Sequence, residues 1–196
     1  GFAPFGIQAI NGDIFVTYAK QDAAKDEDVT GPGLGFVDVY NPNGKFLKRF
    51  ATRGVLNAPW GVALAPPSFG SAKGTLLVGN FGDGRINAFN PTTGVFVGPM
   101  VDALGNPIEI EGLWSLAFGN NGPGFSPNIL YFTAGIDDEE HGLRVDVMAP
   151  SPSVEDLAEA LADFGAARRA SMIEAGQPVT KPSERRAAGR RRASSK

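Results

Sequence analysis

The fold is decided by residues 56–98, LNAPWGVALAPPSFGSAKGTLLVGNFGDGRINAFNPTTGVFVG. Apolar runs at 59–65, 75–80 and 84–89 are separated by Gly, Pro and Asn, which punctuate strands. Within the third run, polar and apolar side chains alternate, as in a strand with two different faces. Asn90-Pro91 starts a turn that leads into a short fourth run. The stretch therefore predicts four short antiparallel strands.

The same template occurs before and after this stretch. PFGIQAI at 4–10, PWGVALA at 59–65 and LWSLAFG at 113–119 align without gaps, at offsets of 55 and 54 residues. A four-stranded unit of this length, when repeated, is typical of a β-propeller blade. We therefore predict an all-β fold, a partial β-propeller of about three four-stranded antiparallel blades, followed by a short helix and a disordered basic tail.

Charge and composition divide the chain into three segments. The repeats, which start near residues 4, 59 and 113, predict blades over 1–148. Residues 149–175 are typical of a linker and a helix, and the Arg/Ala/Ser-rich residues 176–196 of a disordered basic tail. Residues 1–165 carry 19 acidic and 9 basic side chains, whereas the remaining 31 residues carry 2 acidic and 9 basic side chains.

Composition excludes several classes of function. The chain contains no Cys, so it has no disulfide framework and no thiolate chemistry. No apolar run approaches the roughly 18 residues of a membrane-spanning helix, and the first ten residues lack the charged start of a signal peptide. The tail arginines have no interleaved aromatic residues, so we expect no sequence-specific binding of nucleic acid.

Two sets of motifs resemble known families. PWGVA, followed by a strand and then GRINAF, resembles an NHL-type repeat, which builds six-bladed propellers. LLVGNFGDGRINAFNPTTG and LYFTAGIDDEEHGL closely resemble an uncharacterised family of secreted bacterial propeller proteins, which often carry a C-terminal sorting signal. The resemblance covers roughly residues 1–143. It implies an extracellular or cell-surface location, and we interpret the chain as a C-terminal fragment.

Acidic side chains are concentrated in the turns that follow the second strand of each repeat. In a propeller these turns meet at one rim, and clustered carboxylates supply the oxygen ligands that Ca²⁺ prefers. Propeller lactonases, which the repeat resembles, hold one Ca²⁺ with such residues. The candidate metal ligands are Asn80, Asp83, Asp137 and Asp138. The candidate ligand-binding residues of the rim are Asp22, Asp28, Glu139, Glu140 and His141.

Each of these candidate residues also has a purely structural interpretation. Acidic residues in glycine-rich loops are usually solvated, and His141, the single histidine, is more often a hydrogen-bonding group than a general base. Trp60 and Trp114 align with Phe5, and equivalent aromatic residues usually pack between neighbouring sheets.

Two hypotheses for function remain. The first is a non-enzymatic binding or scaffold protein with a protein or polysaccharide partner, and the second is a Ca²⁺-dependent lactonase-like hydrolase. Three blades leave open apolar sheet faces, so we also expect either a fragment of a longer protein or self-association.

Overall fold

The computed structural model describes residues 1–102, 104–136 and 141–148, and for residues 136 and 141–148 it describes the backbone. One 3₁₀ helix, Gly70–Ala72, occurs within these residues. All other regular structure there is β. The strands are β1 (Phe2–Ile10), β2 (Asp13–Gln21), β3 (Asp28–Val29), β4 (Gly35–Tyr40), β5 (Phe46–Thr52), β6 (Pro59–Leu64), β7 (Leu76–Asn80), β8 (Ile86–Phe89), β9 (Phe96–Pro99), β10 (Leu113–Phe118), β11 (Ile129–Ile136) and β12 (His141–Met148).

The strands form three successive antiparallel sheets. Sheet 1 has the order β1-β2-β4-β5 with β3 on β2, sheet 2 the order β6-β7-β8-β9, and sheet 3 the order β10-β11-β12. This confirms the predicted all-β class and the strands of the repeat. The structure does not show the propeller that we predicted these sheets to form. The predicted helix within 149–175 and the tail at 176–196 lie outside the described residues.

The first strands of the three sheets lie side by side, with β6 between β1 and β10. Two glycines permit this close approach. A Cβ atom on Gly6 would lie 2.2 Å from the Trp60 carbonyl oxygen, and one on Gly61 would lie 2.6 Å from the Leu116 nitrogen. Both distances are below van der Waals contact, so each junction between sheets requires glycine on the first strand.

Aromatic rings follow the same line of first strands. Phe5 and Trp60 have ring centroids 4.3 Å apart, and Trp60 and Trp114 are 6.2 Å apart. Phe81 meets the Trp60 ring at 5.9 Å. These contacts confirm that the equivalent aromatic residues pack between sheets.

The main apolar core fills the space between sheets 1 and 2. Val37, Val39 and Phe50 of sheet 1 pack with Val78 and Phe89 of sheet 2. Burying one such side chain contributes about 1.5–3 kcal/mol. Sheet 3 packs on the opposite side of sheet 2. There, the absence of a side chain at Gly79 admits Leu113 and Leu116.

Candidate functional site

Asn80, a predicted metal ligand, lies at the end of β7 with its side chain fully buried. Its Oδ1 accepts a hydrogen bond from the Asn57 backbone N–H at 3.2 Å. Its Nδ2 donates to the Val55 carbonyl at 2.8 Å and to Asp83 Oδ1 at 3.1 Å. Asn80 therefore ties the segment between sheets 1 and 2 to the β7–β8 turn.

Asn57 extends this network towards the acidic loop of sheet 1. Its Oδ1 accepts a hydrogen bond from the Gly31 N–H at 2.6 Å, and the nearby Gly33 N–H donates to the Leu56 carbonyl at 2.8 Å. The β7–β8 turn closes over the same side chain, because a Cβ on Gly82 would lie 2.1 Å from Asn57 Oδ1. We call Asn57, Asn80 and Asp83 the polar clasp.

The rim candidates of sheet 1 organise their own loop. Asp22 Oδ1 accepts hydrogen bonds from the Lys25 N–H at 2.6 Å and the Asp26 N–H at 3.3 Å. Desolvation raises the pKa of Asp22, but the backbone N–H groups of the loop outweigh it, and the pKa is lowered overall. Asp28 is half-buried in β3, where it pairs with Gln21 of β2.

The structure thus brings Asn80 and Asp83 together and fixes Asp22 and Asp28 in the loop before β4. Asp137, Asp138, Glu139 and Glu140 lie outside the described residues. His141 is described by its backbone, as the first residue of β12. The part of the chain that the structure describes contains no group of three or more His, Cys, Asp or Glu positioned to hold a metal ion. The calcium site stays a prediction.

A second surface covers the face of sheet 1 that points away from sheet 2. The sequence analysis predicted open apolar sheet faces but did not identify their residues. The strand registers place its side chains together, whereas Phe15, Val37 and Val39 occupy the opposite, core-facing side. We call this surface the leading face. Its residues are Ile7, Ile14, Val16, Tyr18, Phe36, Asp38 and Tyr40.

The leading face corresponds, position by position, to surfaces that are buried in the other two sheets. Ile7 aligns with Val62 and Leu116, yet Ile7 is 71% exposed while those two are 3% and 2% exposed. Tyr18 aligns with Asn80 and Ala134, which are both fully buried. Ile7 is therefore exposed, and Tyr18 half-buried, on the kind of face that sheets 2 and 3 bury. Val16 and Asp38 of the leading face are themselves buried.

The aromatic rings of the leading face pack against one another and against Arg49. Tyr18 and Phe36 stack with centroids 4.5 Å apart, and the Arg49 guanidinium lies 3.6 Å from the centre of the Phe36 ring. The Tyr18 and Tyr40 hydroxyls are 2.8 Å apart. Arg49 also forms a two-point ion pair with Asp38, whose side chain is almost fully buried. These contacts order the aromatic and charged side chains of the leading face relative to one another.

The contact between Tyr18 and Tyr40 affects the pKa of the Tyr18 hydroxyl. Burial, together with the hydrogen bond between the Tyr18 and Tyr40 hydroxyls, raises the pKa of Tyr18 to about 12. Because the folded-state pKa lies above the ordinary value of about 10, Tyr18 contributes stability that is present below pH 10 and lost as the pH rises towards 12.

We expect Tyr40→Phe to move the Tyr18 pKa back towards 10, as measured by phenolate absorbance after rapid pH jumps. An unchanged titration in Tyr40→Phe would contradict the assigned hydrogen bond, and Tyr131→Phe is the control.

The repeat alignment contained the signal that identifies the leading face. It placed an apolar residue at each of the equivalent positions 7, 62 and 116. The burial of Asn80 carried no comparable signal, because an Asn beside a glycine-rich turn is usually a turn residue.

The described residues define an all-β protein built from repeated antiparallel sheets. No protein-family model matches the chain. Three uncharacterised proteins of Acanthamoeba polyphaga mimivirus are 41%, 39% and 34% identical to it over 144, 148 and 137 residues. These alignments cover 72%, 72% and 69% of this chain but 34%, 37% and 25% of the relatives. The chain thus spans about a third of the length of the curated relatives that it matches.

A luciferin-regenerating enzyme of known structure is 12% identical, with a TM-score of 0.38, over 76% of this chain and 62% of that chain. This likeness is too low to support an inference. Among the described residues, no helix is long and apolar enough to span a membrane.

These relatives correct the family prediction. They are viral and uncharacterised, so the assignment to an NHL-type family of secreted bacterial propeller proteins was wrong. The motifs misled because packing itself requires them: Gly61 admits the next strand, and Gly84, at φ +70°, approaches the Ile110 backbone. The extracellular location that we took from that family loses its basis as well.

Proposed function

We propose that this protein is a non-enzymatic binding scaffold that takes a protein partner on the leading face of sheet 1. The observation that carries the proposal is the exposure of Ile7, at a position where the other two repeats bury their side chains between sheets. Ile7 lies on β1, the edge strand of sheet 1, opposite Val16 of β2. An exposed apolar side chain that continues an apolar surface marks an interaction site.

The composition of the face favours a protein as the partner. Aromatic residues and arginine contribute a large share of binding energy at protein–protein interfaces. The leading face supplies Tyr18, Phe36 and Tyr40, with Arg49 stacked over the ring of Phe36. Phe2, 42% exposed, meets Phe36 at 5.1 Å and extends the aromatic surface along β1.

The rigidity of the face favours binding as well. Ordering flexible side chains on association costs free energy, which a preorganised surface avoids. The rings are already stacked, and the Asp38–Arg49 pair fixes the charged group among them. A partner therefore meets a surface that needs little rearrangement.

The absence of cysteine from the chain makes a specific test practical, because one introduced thiol is the only thiol. Ile7→Cys is labelled with a benzophenone crosslinker and irradiated in a protein extract of the organism that encodes the chain. The matched control is Val95→Cys, since Val95 is a β-branched residue that is 63% exposed outside the leading face.

We expect Ile7→Cys to form saturable protein crosslinks that excess unlabelled wild type suppresses and the unlabelled Ile7→Glu variant does not. Val95→Cys should give none of these products. Equal crosslinking from both positions, or crosslinks to carbohydrate alone, would overturn the proposed function.

A further inference from the structure

β9 (Phe96–Pro99) is the last strand of sheet 2, which lies between sheets 1 and 3. Among the described residues it pairs with a strand on one side only, β8. An edge strand leaves backbone N–H and C=O groups without a ladder partner, so a further extended segment can pair with it. We propose that β9 binds an extended acidic and apolar segment of another protein by strand addition, at a site separate from the leading face.

The exposed side chains along this edge are apolar. Val97 is 63% exposed, and Val101, which follows the strand, is 48% exposed. Proteins commonly protect edge strands with charged side chains, but β9 contains none. Pro99, which has no N–H, ends the strand, so the edge available for pairing is short. A segment added here therefore needs a side-chain anchor as well as backbone hydrogen bonds.

A cleft beside β9 can hold such an anchor. Its volume is about 200 Å³, and it lies between β9 and the loop that precedes β7. Phe69, Ala88 and Met100 line it as buried residues, whereas Val97 and Val101 line it as exposed ones. None of the described residues that line the cleft is charged. In strand addition the backbone supplies affinity and pockets for alternate side chains supply specificity, so the cleft favours an apolar anchor such as leucine.

The segment that forms β5 to β9 is basic, although the chain as a whole is acidic. The full sequence has 21 acidic and 18 basic residues, whereas residues 41–101 have one acidic residue, Asp83, and six basic residues. The six are Lys45, Lys48, Arg49, Arg53, Lys73 and Arg85. Two of them, Arg49 and Arg85, already form ion pairs. The other four favour an acidic partner, because complementary charge speeds encounter and selects among partners.

Two of these four lysines and arginines lie beside the proposed site. The Lys48 ammonium donates a hydrogen bond to the Thr92 carbonyl at 2.9 Å, in the turn that leads into β9. Lys73 is exposed and follows Ala72, which lines the cleft. Neither lysine forms an ion pair with another described residue. A second copy of the chain paired at β9 would bring a second set of the same lysines to the site, so a separate acidic segment is the better fit.

The test is a fluorescence anisotropy titration of the full chain with a labelled peptide of about nine residues in which glutamate and leucine alternate, enough to cover the four residues of β9. We expect saturable binding with a Kd below about 1 mM, and binding about tenfold weaker when lysine replaces glutamate. N-methylation of every second amide blocks one edge of the peptide strand. Methylation of one edge should abolish binding and methylation of the other should leave it unchanged.

Variants of the protein locate the site. Val97→Glu removes an apolar wall of the cleft and adds a negative charge, so we expect binding to weaken about tenfold. Lys48→Glu and Lys73→Glu should each weaken it about three- to tenfold. The matched control is Lys25→Glu, the same charge change at an exposed residue before β4. It should bind like the wild type at physiological salt, which screens distant charges. Circular dichroism checks that every variant is folded.

Absence of binding below about 1 mM, equal effects of methylation at the two edges, or equal affinities of Lys48→Glu and Lys25→Glu would overturn the proposal. Self-association of the chain without peptide, lost in Val97→Glu, would assign the edge to a second copy and overturn it as well. Ile7→Glu should bind the peptide like the wild type, which separates this site from the leading face. For the same reason, a crosslink from Val95→Cys that Ile7→Glu suppresses would belong to the edge at β9.

Discussion

Gly61→Ala is expected to destabilise the protein by about 3 kcal/mol, at the upper end of the cost of overpacking a core. The new Cβ would lie 2.6 Å from the Leu116 nitrogen and 2.9 Å from the carbonyl carbon of Ser115. Backbone atoms cannot rotate away as a side chain can, so sheets 2 and 3 must separate. Equilibrium unfolding in urea measures the loss as a lower midpoint.

Gly98→Ala is the matched control for Gly61→Ala. Gly98 also lies in a strand, β9, but a Cβ there would meet no atom within 4 Å. We expect its stability to change by less than about 0.5 kcal/mol, as for surface substitutions that make no new contact. Equal midpoints for the two variants would show that the close approach of β6 and β10 does not require glycine.

Asn80→Ala is expected to cost about 3 kcal/mol, because it removes the hydrogen bonds of a fully buried side chain. The Val55 carbonyl and the Asn57 N–H would lose their hydrogen bonds to this side chain, and the Asp83 carboxylate would lose a donor. Thermal unfolding measures the loss. Asn43→Ala, at an exposed turn position, is the control and should be nearly neutral.

The same experiment separates the structural role of Asn80 from the predicted calcium site. A structural amide predicts that Asn80→Ala lowers the melting temperature equally in Ca²⁺ and in a chelator. A metal ligand predicts that Ca²⁺ stabilises the wild type and that the variant loses this stabilisation. A loss seen only in the presence of Ca²⁺ would contradict the role of the polar clasp.

The sequence was a good guide to the strands and a poor guide to the polar residues. Apolar residue type and the flanking Gly, Pro and Asn located β7 and β8 within one or two residues. The half-buried character that the alternation indicated was wrong, because every residue of both strands is buried between sheets. Asn80 lies in the same strand, but its side-chain amide forms hydrogen bonds with a segment more than 20 residues earlier in the chain. No local pattern encodes a partner at that distance.

The candidate site, too, has features that the sequence predicted and features that it did not. The proximity of Asn80 and Asp83 could be predicted from the sequence. The tight turn that joins β7 and β8 brings residues three positions apart close together, and the two side chains form a hydrogen bond. The leading face required knowledge of how the sheets pack against one another. A repeat alignment gives equivalent positions, but exposure at Ile7 and burial at Val62 and Leu116 depend on the neighbours of each sheet in space.

The glycines on the first strands of sheets 1 and 2 also have a consequence for how such a gene changes in length. The features that join one sheet to the next lie within a single module of about 55 residues, and a repeat that contacts only its neighbours can be added or lost without redesign of the others.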